Sequence, residues 1–168
     1  MIISNSKFRF LILFFSIFFC STIKSQSIYK GIMEVYENER FSFNLLIPKE
    51  FHKKFPENGD GITLISPRNK NIRILAWGEH NAVFHTFEER LAEISSRKKI
   101  LSIQSTHSKL IERKTLIMEH ENQKIMRLVF LHDDIFYGVE CSAPKKEFSQ
   151  YQKLFEDIIQ SFKIISNN

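Results

Sequence analysis

Cysteine is nearly absent from this chain of 168 residues, with only Cys20 and Cys141 present. A disulfide framework is excluded if Cys20 is removed with a leader, because Cys141 then has nothing to pair with. Glycine and proline are also sparse, 5 and 4 residues, and they stand at apparent element boundaries. No linker, repeat or low-complexity segment follows Gln26. Catalytic signatures are missing as well. Neither HExxH nor an HxH pair occurs, so the six histidines have none of the close spacing that zinc sites use. No serine stands in a G-x-S-x-G elbow. Asn58-Gly59-Asp60-Gly61 lacks the D-x-D-x-D-G pattern of calcium loops, although its oxygens or backbone amides offer a possible ligand surface.

What is present begins with an export signal. Lys7 and Arg9 precede an apolar run, Phe10 to Cys20, interrupted only by Ser16, and Ser25 offers a small residue before Gln26. The run is too short to span a bilayer, which takes ~20 apolar residues. It fits the hydrophobic region of a secretory signal peptide. The expected organisation is a signal peptide over residues 1–25 and one domain over residues 26–168. The expected location is periplasmic or secreted, with membrane contact only through the signal peptide before cleavage. Cys20 raises the alternative of lipidation, but Phe18 and Phe19 stand where a lipidation site takes small residues. Cleavage after Ser25 removes Lys7, Arg9 and Lys24, so 24 basic residues become 21 against 19 acidic ones. The mature excess is small, and a nucleic-acid partner is not expected.

The remainder alternates as strands and helices do. Phe41, Phe43, Leu45 and Ile47 alternate with Ser42 and Asn44 up to Pro48, a half-buried strand, and Ile32 to Tyr36 is its expected partner across Glu37-Asn38-Glu39. Ile62–Ser66 and Ile72–Trp77 read as strands around a hairpin loop. Thr86 and Glu89 form a capping box that starts a helix with the apolar stripe Phe87, Leu91 and Ile94. A long, mostly polar strand region is expected from His107 to Met118. Two apolar strands, Ile125–Leu131 and Ile135–Ser142, flank the turn His132-Asp133-Asp134 and are expected at the centre of a sheet. Cys141 shares their alternation and reads as a packed residue. A last helix is expected from Lys145 to Phe162, with Phe148, Tyr151, Phe155, Ile158 and Phe162 on one stripe. The fold class is therefore α+β, an antiparallel sheet of about six to seven strands covered by two main helices.

Four features in this order resemble the PsbP-like fold, which small exported bacterial proteins share. They are Phe41-Ser42-Phe43 leading to Ile47-Pro48, Asn58-Gly59-Asp60-Gly61 before a strand ending Ser66-Pro67, a strand ending Trp77-Gly78 before a helix, and Ile159-Gln160-Ser161-Phe162 in the closing helix. They span about residues 40–163. The resemblance implies a binding or assembly module rather than an enzyme, and it carries over no catalytic residue, metal site or photosynthetic role. The expectation is a non-catalytic exported protein, monomeric, without a cofactor, that engages another protein or an envelope component. The alternative is a hydrolase with an unrecognised site, which a deep cleft with convergent His and Asp side chains would favour. Asn58, Asp60, Trp77 and Phe84 are the candidate surface for a ligand or partner. Three basic clusters remain, Lys53-Lys54, Arg97-Lys98-Lys99 and Lys145-Lys146, and the middle one needs no ligand. It sits where a helix C-terminus favours cations.

Overall fold

The computed structural model describes residues 29–108 and 111–165. The leader expected over residues 1–25, and Cys20 with it, lies outside the described residues.

Seven strands form one antiparallel sheet. In chain order they are β3 (His52–Lys54), β4 (Gly61–Ile65), β5 (Arg73–His80), β6 (Lys99–Ser108), β7 (Ile111–His120), β8 (Gln123–His132) and β9 (Ile135–Pro144). Their spatial order is β3-β4-β5-β9-β8-β7-β6, which puts β9 in the middle with β8 beside it. β1 (Met33–Asn38), β2 (Phe43–Pro48) and the two-residue β10 (Lys163–Ile164) make a second sheet in the order β1-β2-β10. The helices are α1 (Phe87–Ser95) and α2 (Phe148–Ser161). No helix among the described residues is long and apolar enough to cross a membrane.

Local chemistry explains most of these boundaries. Asp133 and Asp134 both take left-handed φ, 49° and 57°. That is the geometry of a two-residue turn whose twist matches an antiparallel pair, so β8 and β9 zip without a register shift from His132–Ile135 to Gln123–Pro144. At α1 the Thr86 hydroxyl accepts from the Glu89 amide at 3.2 Å, and the Glu89 carboxylate accepts from the Thr86 amide at 2.7 Å. Two free donors of the first turn are thereby satisfied.

The strands present two faces, and each face has its own cover. On the first, Met126, Leu128 and Phe130 of β8 join Tyr137, Val139 and Cys141 of β9 and Ile74 and Ala76 of β5. α2 and the three-stranded sheet close over them. Phe148, Phe155 and Ile158 of α2 are at most 1% exposed. Each such side chain contributes ~1.5–3 kcal/mol by leaving water. An aromatic cluster joins the layers, with Phe43 stacked on Phe162 at 5.0 Å and Phe130 on Tyr137 at 5.2 Å. The Tyr137 hydroxyl donates to the Phe41 carbonyl at 3.1 Å. On the opposite face, Leu116, Met118, Ile125 and Val129 form a small cluster under Phe87, Leu91 and Ile94 of α1. None of the α1 residues is fully buried. The two helices thus lie on opposite faces of the large sheet.

Two sequence expectations are corrected, and β3 was not foreseen. The region 107–118 is not one strand but the outer hairpin of β6 and β7, and β6 begins as early as Lys99. β6 is an edge strand whose apolar Ile100, Leu101 and Ile103 remain 40–50% exposed, so no buried face imposes an alternation. The short β3 has no apolar residue and is exposed throughout. Of the basic run 97–99, only Arg97 stands at the helix end, next to the C-cap Ser96. α1 stops at Ser95, Lys98 is half-buried and Lys99 already belongs to β6.

Candidate functional site

The alternation in β2 sends Phe43, Leu45 and Ile47 inward and leaves Asn44 and Leu46 on the outer face. β1 runs antiparallel with Val35 opposite Leu46, so the two apolar side chains share that outer face. β10 pairs only with Phe43 and Asn44, so the far edge of β2 is open from Leu45 onward. α2 ends beside this gap. The Ser161 hydroxyl accepts from the Leu46 amide at 2.9 Å, which satisfies one of the open backbone donors. The result is a groove of about 850 Å³ with Leu45, Leu46 and Val35 on one wall and Leu154, Asp157 and Gln160 of α2 on the other. Ile32 and Val35 are 70% and 65% exposed and extend the apolar surface beyond the groove. At its end the Tyr29 hydroxyl donates to the Glu50 carboxylate at 2.7 Å, and burial, then that hydrogen bond, push the phenol above its ordinary pKa. Asp157 is held by Lys153 on the next turn of the helix. The wall is apolar and the rim is polar and charged, the composition found at protein interfaces.

The four residues singled out in the sequence do not converge here. Asn58 and Asp60 form a turn closed by its own neighbours. The Asn58 carboxamide donates to Asp60, Arg40 bridges Asp60 at 3.0 Å, and Arg40 also donates to the Asn58 carbonyl. Gly59, at φ 70°, has its carbonyl engaged by the buried Asn38 at 2.9 Å. These contacts make the segment an anchor for the β1–β2 turn. Phe84 stands 81% exposed at the tip of the loop before α1, with a left-handed φ of 52°. The buried Asn81 holds that loop by accepting from the His85 amide and donating to the His85 carbonyl, both at 2.9 Å. Trp77 lies on the face of the large sheet that α1 covers, flat against Gly138. A Cβ at Gly138 would come within 2.2 Å of the indole, so only glycine fits there. Among the described residues, no three His, Cys, Asp or Glu side chains converge as metal ligands.

The groove was not named from the sequence, but it left a trace there. Leu46 interrupts the polar side of the alternation begun by Ser42 and Asn44, at a position that faces solvent.

No protein-family model matches the chain, and no curated protein matches it in sequence. Solved structures do match in shape. The solution structure of cyanobacterial PsbP (CyanoP) from Synechocystis superposes with a TM-score of 0.63 at 8% identity, covering 83% of this chain and 96% of that one. The fold is PsbP-like. A protein of unknown function from Pseudomonas aeruginosa superposes with a TM-score of 0.50 at 10% identity, over 82% of this chain and 99% of that one. At such identities the likeness is one of backbone architecture, and it confirms the α+β reading made from the order of elements. The groove lies between α2 and the three-stranded sheet.

Proposed function

We propose that this PsbP-like protein is an exported, non-catalytic accessory module, monomeric on its own, that engages another protein through the groove between β1–β2 and α2. One observation carries this reading. Ile32, Val35 and Leu46 form an exposed apolar surface continuous with a groove of about 850 Å³ beside an open strand edge. Surface of this kind is a recurrent mark of a protein interface. An extended segment of the partner adds beside β2, with an apolar side chain between Leu46 and Leu154. The leader expected from the sequence supports a site of action in the periplasm or outside the cell.

The experiment is site-specific photocrosslinking in the native envelope. A photoreactive residue at position 35 or 46 should join the protein to a discrete partner. The same probe at Glu88, on the opposite side, should not, and Val35→Asp should abolish the product made from position 46. Equal crosslinking from Glu88, or none from either groove position, refutes the proposal.

A further inference from the structure

We propose that the concavity under the C-terminal end of α1, on the face of the large sheet away from the groove, is a second binding site, selective for a phosphate-class oxyanion. The site follows from strand register. Trp77 on β5 pairs with Gly138 on β9, and Arg127 on β8 pairs with Glu140 on β9. All of these side-chain positions face α1. The indole lies over Gly138, and the Arg127 guanidinium sits 5.4 Å from the Trp77 ring while forming an ion pair with Glu140. Both members of the pair are largely buried, with side-chain exposures of 14% and 17%. The Nε of Arg127 is buried and has no hydrogen-bond partner. A cavity of about 380 Å³ opens above this floor, with Arg90, Arg97, Lys98 and His120 on its walls.

The charges are unevenly matched. Arg90 is committed to two carboxylates, Glu79 and, at 2.7 Å, Glu93. Glu140 is committed to Arg127. Among the described residues, Arg97 and Lys98 have no carboxylate at ion-pair distance. Burial, then the neighbouring Arg127, push the Lys98 ammonium below its ordinary pKa against the opposite pull of Glu140. The partial negative charge at the end of α1 accounts for a cation on the surface, as at Arg97. It does not account for a half-buried lysine set beside a buried arginine, since like charges brought out of water repel more strongly. An oxyanion in the cavity offsets that repulsion and accepts from Lys98 beside the Arg127 guanidinium. Phosphate-class groups suit this donor set because they carry several acceptor oxygens and full negative charge. Free phosphates and phospholipid headgroups share that chemistry.

The full chain has a built-in reporter, because Trp77 is its single tryptophan. Pyrophosphate titrated at low ionic strength should change Trp77 emission saturably in the millimolar range or below. Lys98→Gln should weaken the response by about 10-fold or more, which corresponds to about 1.4 kcal/mol. Lys98→Arg should retain it, and Lys54→Gln, on the exposed β3, should leave it unchanged. Phosphatidylglycerol vesicles, compared with phosphatidylcholine vesicles, distinguish the sources. A saturable response to pyrophosphate alone identifies a soluble phosphate, and one confined to the anionic vesicles identifies a headgroup. Far-UV circular dichroism checks that each variant is folded. The proposal is overturned if neither pyrophosphate nor anionic vesicles move the emission, if neutral vesicles act equally, or if folded Lys98→Gln responds like the parent.

Discussion

Asn38 is the polar residue on which the β1–β2 connection depends most. It is 5% exposed and makes three hydrogen bonds through one side chain. Its Oδ1 accepts from the Phe41 amide at 2.8 Å, while its Nδ2 donates to the Gly59 carbonyl at 2.9 Å and to the Tyr36 hydroxyl at 3.1 Å. Asn38→Ala removes all three and leaves the Phe41 amide and the Gly59 carbonyl without partners. The buried Phe41 amide so orphaned costs ~1–3 kcal/mol and the lost contacts to Gly59 and Tyr36 ~1 kcal/mol more, so the expected loss is about 2–4 kcal/mol. Urea denaturation reads this directly. With a slope of ~1–3 kcal/mol per molar, the midpoint should fall by about 1–2 M at constant slope. Asn38→Asp separates the two sides of the contact. It keeps the acceptor for Phe41 but turns an oxygen toward the Gly59 carbonyl, so the folded state favours the protonated acid and its folded pKa is raised. The penalty should therefore be small below pH ~4, where the unfolded aspartate is also protonated, and should grow as the pH rises above it. A midpoint shift in Asn38→Ala below about 0.3 M, or an Asn38→Asp protein insensitive to pH, would show that the turn holds without this side chain.

Three further outcomes are expected. Thr86→Ala should cost ~1 kcal/mol through loss of the α1 cap. The Thr86 amide and hydroxyl hold the Glu89 carboxyl below its ordinary range, so that contribution exists above the usual glutamate pKa and is lost as the pH falls through the depressed value; the gap between parent and variant in thermal melts should narrow in acid. Cys141, fully buried and with its thiol pushed well above its ordinary pKa by burial, should react with a thiol reagent only at the rate of global unfolding, and labelling faster than unfolding contradicts the packing described. Phe84→Asn should raise stability by about 1 kcal/mol, because asparagine tolerates the left-handed backbone and the phenyl ring is mostly in solvent; a lower melting temperature would reveal a packing role for the ring.

The central elements were legible because burial on a known face writes a period into the chain. The β8–β9 hairpin combines two apolar strands with Asp133-Asp134, and α2 carries its stripe from Phe148 to Ile158. The capping box marked the start of α1 to the residue. β6 was hidden because an edge strand exposed along its length imposes no alternation. The surfaces were harder still. Trp77 on β5 and Arg127 on β8 are far apart in the chain and come together only through strand register, while Lys98 reaches them from the connection after α1. Trp77 was grouped with Phe84 in the sequence as a candidate partner surface, whereas its neighbour in the fold is Arg127.

The difference between the two helices bears on how the molecule opens. α2 is locked by five buried side chains, while α1 rests on a four-residue patch with none of its own residues fully buried. Amide exchange should therefore divide the protein into a slow unit, α2 with β8 and β9, and a fast unit that contains α1 and separates well below the global unfolding energy. Because α1 roofs the cavity over Trp77, each such opening also dismantles the oxyanion site, and an occupant must slow exchange throughout α1 while leaving α2 unchanged.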